Sequence, residues 1–277
     1  MSEAPAERRL VLPDGRAARA RRVGEGAPLV LVPGSGLGAL GWGRLRPPGF
    51  SPVLIDFLGY GAADPFLPGV DDPLSVDVAA VVAAIDGAGG RVALVGHSYG
   101  GLVAWRAALA RPDAVAVLGL CEPVCYGLLD GDAPGAALRA GMEARFPGVL
   151  NGGGPPDAGW LRGFIDYWNG PGAWDGLPES RRVAYLRLGA RVRAEVGAVW
   201  GAPPPARFPG PTVVVRGADS PVEAREMAAR AAAAHGGAPV VIPGVGHTFP
   251  LVAPGPTWAA LGGAGWAGRY LEAGANP

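Results

Sequence analysis

Six short apolar runs, each stopped by glycine or a polar loop, constrain this chain more than any other feature. Residues 29–32 end at Pro33-Gly34-Ser35-Gly36, and 53–55 end at Asp56 with Gly59-Tyr60-Gly61 beyond. Residues 92–95 end at Gly96-His97-Ser98, and 115–118 lead through Leu120-Cys121 to Glu122-Pro123. Residues 213–215 end at Arg216-Gly217-Ala218-Asp219, and 240–242 end at Pro243-Gly244. Continuous apolar runs of this length suit strands buried on both faces. Between them lie Ala-rich stretches of helical character: one ending near Asp86 with Asp72 or Ser75 as its cap, 99–109, and 221–235 with Glu223 and Glu226 in its first turns. Ahead of the first run, 8–12 and 16–23 flank Pro13-Asp14-Gly15, a turn that sets up a hairpin. Strand and helix in alternation imply right-handed crossovers and a mostly parallel sheet, whose chemistry gathers at the carboxyl ends of its strands.

Residues 124–207 break this rhythm. They hold helix-like pieces but no buried strand, and they carry many aromatics, Tyr167 and Trp168 among them. The expectation is a helical cap at 124–207 inserted into a core formed by 1–123 and 208–277. Gly152-Gly153-Gly154-Pro155-Pro156 and Pro203-Pro204-Pro205 would be its loops.

Composition narrows the chemistry. Glycine and proline make 77 of 277 residues, a share that can mark disorder. A mean hydropathy of +0.22 and only 17% charged residues favour burial and a folded chain. All 24 basic residues are Arg. Without lysine there is no Schiff-base chemistry and no ordinary P-loop. A formal charge of +0 argues against a nucleic-acid partner. No run of about 18 apolar residues predicts a membrane span, and residues 1–9 hold no apolar leader core, so a cytoplasmic protein is expected. Cys121 and Cys125 read as buried thiols, and no metal-ligand cluster stands out. Gly34, Gly36, Gly38, Gly41 and Gly43 lack the register of a dinucleotide loop. No cofactor or metal is expected; the partner is a small-molecule substrate.

The chemistry-bearing motif is Gly96-His97-Ser98-Tyr99-Gly100, a G-x-S-x-G pentapeptide between an apolar strand and an Ala/Leu-rich helix. A strand that turns abruptly into a helix leaves no room for Cβ atoms at the flanking positions, and it lifts the central side chain above the sheet. Ser98 then stands at a helix N-terminus, where the dipole favours developing negative charge. A serine nucleophile needs a base. His97 precedes the nucleophile and should point away into supporting structure. His235 ends a helix, where an exposed cation suits the dipole. His247, in the loop after the last strand, reaches the same sheet edge as Ser98 and is the candidate general base and acid.

With the opening hairpin, Pro33-Gly34-Ser35-Gly36, the Ser98 elbow, the interrupting insert and Gly246-His247, the chain resembles the α/β-hydrolase superfamily over nearly its whole length. The resemblance implies an α/β fold: a mostly parallel, eight-stranded-type sheet flanked by helices, with an inserted cap. It implies an oxyanion hole made by the backbone N–H groups of Tyr99 and Ser35. Pro33 stands where the family often has His. For the acid, the usual family position in the loop after 213–215 is Ser220. Asp219 stands one residue earlier, and Glu122-Pro123 follows the preceding strand as in some relatives. Glu122 is the leading candidate and Asp219 the alternative. Trp42, Tyr167 and Trp168 are expected at the substrate pocket.

The implied activity is a serine hydrolase cleaving an ester, thioester or lactone of a small apolar substrate through an acyl-enzyme. The alternative keeps fold and triad but runs a lyase, cyclase or acyltransferase reaction. A third, non-catalytic class would leave Ser98 unreactive. Serine at the elbow argues against dehalogenase and epoxide-hydrolase chemistry, where the family uses Asp. Oligomeric state is not legible.

Overall fold

The computed structural model describes residues 6–42, 44–263 and 270. The expected ends of the core at 1 and 277, part of the 1–9 segment and Gly43 therefore lie outside the described residues.

Eight strands form one sheet: β1 (Ala6–Val11), β2 (Ala17–Arg22), β3 (Ala27–Val32), β4 (Phe50–Asp56), β5 (Val92–His97), β6 (Val115–Cys121), β7 (Thr212–Gly217) and β8 (Val240–Ile242). Their order is β1-β2-β4-β3-β5-β6-β7-β8. β1 and β2 form the opening hairpin, and β2 meets β4 antiparallel through Arg19↔Asp56 and Ala20↔Ile55. All other pairings are parallel. The central strand β5 is buried at all six positions, which is why its sequence reads as a continuous apolar run rather than an alternating one.

Helices α1 (Pro73–Asp86), α2 (Tyr99–Ala110) and α7 (Val222–Ala234) cover one face. The short α8 (Phe249–Val252) and α9 (Pro254–Gly263) lie on the other. The start of α1 is fixed locally. Asp72 is extended and accepts a hydrogen bond from the Ser75 N–H at 3.2 Å, and Pro73 supplies a preset φ at the first position. Buried strand residues such as Leu31, Leu94 and Leu118 are each worth roughly 1.5–3 kcal/mol of transfer free energy.

Between β6 and β7 the described residues form α3 (Ala133–Arg145), α4 (Ala158–Asn169), α5 (Ala173–Gly176) and α6 (Glu179–Gly201), with a 3-10 turn at Tyr126–Leu129 and no strand. Their apolar side chains, including Trp160, Phe164, Val192 and Val196, join those of α1 and α2 in one continuous cluster. The helices thus lie over the carboxyl edge of the sheet and share its core.

Candidate active site

The parallel sheet delivers the ends of β5, β6 and β7 to one edge, and the chain turns sharply at the first two. Ser98 links β5 to α2 with φ 56° and ψ −125°. This strained conformation costs on the order of 1–3 kcal/mol and recurs at functional turns. The glycines make it sterically feasible: a Cβ at Gly96 would overlap the Gly100 carbonyl, and one at Gly100 would overlap the carbonyls of Val32 and Pro33. Glu122, just past β6, also has positive φ, at 43°. Its N–H donates to Val215 O at 2.9 Å, extending the β6–β7 pairing by one residue and turning its side chain into the site.

Three side chains far apart in sequence meet here. His247 Nε2 lies 2.9 Å from Ser98 Oγ, and His247 Nδ1 lies 2.6 Å from Glu122 Oε2. Glu122 is fully buried, and its other oxygen accepts the Gly217 N–H at 2.7 Å. A buried carboxylate needs such donors, and it has one on each oxygen. Asp219 is not brought to His247. It is exposed, and its N–H holds the Val245 carbonyl at 3.0 Å, so it serves the loop rather than the imidazole.

The segment 33–36 passes directly over the elbow. Ser98 and Ser35 line the same small cavity, of about 40 Å³. Among the described hydrogen bonds the backbone N–H of Ser35 is unengaged, and the N–H of Tyr99, at the first position of α2, has no intrahelical acceptor. Ser35, Ser98 and Tyr99 line one small pocket together.

The remaining two histidines are placed differently from expectation. His97 does not point away from the site. It is buried beside it, its ring 4.9 Å from that of His247, and its Nε2 contacts the His247 carbonyl at 2.9 Å. Nε2 must carry a hydrogen to donate to that carbonyl, and in this way His97 braces the His247 loop. Burial, and then the nearby His247, press its pKa down to about 3. His235 is not an exposed cation. It packs on Trp105 at 4.8 Å, contacts Ala231 O through Nδ1 and accepts the Phe208 N–H at Nε2. Burial lowers its pKa. Apolar cover from Trp105 overrides the dipole preference that the helix end alone would set.

The depressed pKa of His97 has a consequence for stability. Its folded pKa lies below the unfolded value near 6.5, so between these values only the unfolded state takes up a proton. Its contribution is present above pH 6.5 and lost as pH falls toward 3, with a limiting slope of about 1.4 kcal/mol per pH unit. Denaturant titrations at pH 7 and pH 4.5 should show wild type losing more stability on acidification than His97→Asn.

The aromatic expectations divide. Trp168 stacks on His247 with ring centroids 4.0 Å apart and planes at 25°, and it walls the cavity. Tyr167 faces instead a wider groove of about 600 Å³ on the other side of His247, where its hydroxyl donates to Glu223 at 3.2 Å. Trp42 is a correction: it is 2% exposed in the core beneath the site, its indole N–H donates to Val32 O at 3.0 Å, and it does not wall the cavity. An indole donor finds its acceptor in the strand below it. Leu37, Phe164, Ile165 and Tyr185 also wall the cavity. Phe164 and Tyr185 belong to the aromatics of the 124–207 insert, whereas nothing local separates Leu37 and Ile165 from ordinary core residues.

Both cysteines are buried, and burial pushes the thiols up, Cys125 to about 11. Among the described residues no group of His, Cys, Asp and Glu could hold a metal ion, and no helix is long and apolar enough to cross a membrane.

Comparisons with known proteins agree with this architecture. The model of the alpha/beta hydrolase family matches residues 29–260. Lipase LipV of Mycobacterium tuberculosis is 44% identical over 77 residues, 27% of this chain and 28% of LipV. Polyketide synthase ThaQ of Burkholderia thailandensis is 34% identical over 168 residues, 54% of this chain and 8% of ThaQ. The matches thus span well under half the length of these relatives. A hydrolase from Pseudomonas aeruginosa PA01 superposes with a TM-score of 0.69 at 20% identity, over 94% of this chain and 98% of that one. With the family match covering most of the sequence and the same fold throughout, this chain belongs to the alpha/beta hydrolase family.

Proposed function

We propose that the protein is a serine hydrolase that cleaves an ester or thioester of a small acyl group through an acyl-enzyme at Ser98. The observation that carries this is the hydrogen-bonded series Ser98 Oγ, His247 Nε2 and Nδ1, Glu122 Oε2, at 2.9 Å and 2.6 Å. His247 takes the Ser98 proton as Oγ attacks the carbonyl carbon, and the oxyanion forms between the N–H groups of Ser35 and Tyr99. Two preorganised donors there are worth several kcal/mol of barrier. Collapse breaks the bond to the leaving group, which receives the proton from His247. Water then gives a proton to His247 and attacks the acyl-enzyme, releasing the free acid and restoring Ser98. The imidazolium formed on the way is flanked by the Glu122 carboxylate and the face of Trp168, both of which favour positive charge.

Residues 124–207 act as a cap in this reading. The cavity at Ser98 holds only a few waters' worth of space, so it accepts a short acyl group, while the wider groove beyond His247 takes the leaving group. p-Nitrophenyl acetate should be turned over at least ~10-fold faster in kcat/KM than p-nitrophenyl decanoate, a difference of about 1.4 kcal/mol. Equal or inverted rates would contradict the short-acyl assignment.

A second reading draws on the likeness to part of ThaQ, a polyketide synthase: a thioester acyl group passed to an amine or hydroxyl rather than to water. Labelling of Ser98 by a fluorophosphonate without steady release of free acid from simple esters would favour it.

A further inference from the structure

Behind the two oxyanion donors lies a buried charged cluster that the triad does not use. Arg191 and Glu195 stand on α6, Asp77 on α1 and Tyr60 in the loop after β4, all at most 4% exposed. Arg191 Nη2 is paired with Asp77 Oδ2, and its Nε lies 3.2 Å from Glu195 Oε1. The Arg191 guanidinium also lies 4.2 Å from the centroid of the Phe66 ring.

Both ends of this cluster reach the oxyanion hole. Tyr99, whose N–H is one donor, gives its hydroxyl to Asp77 Oδ2 at 2.6 Å. Ser35, whose N–H is the other, is joined to the cluster through its neighbour Gly36. The next residue, Gly36, donates its N–H to the Tyr60 hydroxyl at 2.9 Å, and that hydroxyl lies 2.9 Å and 3.0 Å from the two Glu195 oxygens. The path from one donor to the other therefore runs Tyr99, Asp77, Arg191, Glu195, Tyr60 and Gly36, the residue after Ser35, and its middle lies on α6.

Stability alone gives little reason for such an arrangement. Buried ion clusters rarely repay their desolvation, and apolar groups of equal volume often serve as well. This cluster leaves Asp77 Oδ1 and both Nε and Nη1 of Arg191 without hydrogen-bond partners. What it does provide is fixed geometry at a loop and a helix start that must present N–H groups to one oxygen. Burial also raises the carboxyl groups of Asp77 and Glu195 above the usual range, to about 6 and about 7.

We infer that Arg191 and Glu195 are positioning residues for the oxyanion hole, so that docking of α6 completes the hole by setting the Ser35 and Tyr99 donors. This rests on the serine-hydrolase reading above. A shift of about 1 Å in either donor would cost up to ~100-fold in rate.

The test compares Arg191→Met, Glu195→Leu, Glu195→Gln and Tyr99→Phe by kcat and KM on p-nitrophenyl acetate, and by inhibition with phenylboronic acid. The tetrahedral adduct of that acid with Ser98 places an oxygen in the hole. Arg191→Met and Glu195→Leu should lower kcat by about 10- to 100-fold with KM within about twofold, and weaken the boronic acid by a similar factor. Glu195→Gln still accepts from the Tyr60 hydroxyl and should recover most of the loss. Tyr99→Phe, which deletes one hydroxyl and keeps the ring, should show a smaller loss of the same kind. Unchanged kcat and boronate affinity in folded Glu195→Leu or Tyr99→Phe would overturn this inference alone. A wild type that neither turns over the ester nor binds the boronic acid would overturn the hydrolase reading along with it.

Discussion

Ser98→Ala is expected to lower kcat for ester hydrolysis by on the order of 10⁴-fold or more while leaving the fold intact. The size follows from the role: removing the nucleophile of a triad abolishes the covalent route and leaves only what the donors and the cavity contribute. The fold should tolerate it because alanine deletes a single Oγ that, among the described residues, is engaged only with His247. The backbone strain at position 98 is unchanged by the swap, so the thermal midpoint should move little. Loss of activity with an unchanged unfolding transition is the expected pair of results. A variant that retains a tenth of wild-type turnover would remove Ser98 from the chemistry.

Glu122→Gln is expected to lower kcat by about 10³- to 10⁴-fold, and Asp219→Asn to leave it within about twofold. Glu122 Oε2 accepts from His247 Nδ1, which keeps Nε2 free to take the Ser98 proton. A carboxamide at the same place can donate to Nδ1 instead, which fixes the proton on Nε2 and aims a donor at Ser98. It also removes the negative charge that steadies the imidazolium. Asp219 is exposed at the rim of the outer groove and approaches neither nitrogen. Kinetics of both variants on one ester, with fold checked by circular dichroism, separate the two acids. The reverse ranking would transfer the acid's role to Asp219.

Much of this fold follows from local rules. Short apolar runs ended by glycine are strands buried on both faces, and six of them with helices between leave few alternatives to a parallel sheet. The elbow is legible for the same reason: Gly96, Ser98 and Gly100 sit where a strand must become a helix within one residue. Ser98, Glu122 and His247 were each marked by a position at the end of a strand, although 149 residues separate the first from the last.

What escaped is information that local pattern does not carry. Arg191 and Glu195 sit four residues apart on a long helix, a spacing that ordinarily marks a solvated face. Here Asp77 comes to meet them, a partner 114 residues from Arg191, so the pair is buried. The one available signal was that Val192, Val196 and Val199 share their side of α6, which put charges beside an apolar stripe. His97 and His235 were misjudged for a related reason. A helix end and an elbow say where the backbone goes, but burial by Trp105 or by the His247 loop depends on the tertiary fold. Trp42 follows the same rule: nothing local in the sequence places its indole N–H against the Val32 carbonyl.

The account turns on one covalent event, and mass spectrometry of the intact protein reports it directly. Mixed with excess p-nitrophenyl acetate and quenched in acid within milliseconds to seconds, the wild-type protein should gain one acetyl group, mapped to the peptide containing Ser98. Glu122→Gln should gain it far more slowly, and Ser98→Ala should not gain it at all. An enzyme that releases p-nitrophenol at the full rate with no acetyl on Ser98, or with equal release from Ser98→Ala, would contradict the central claim.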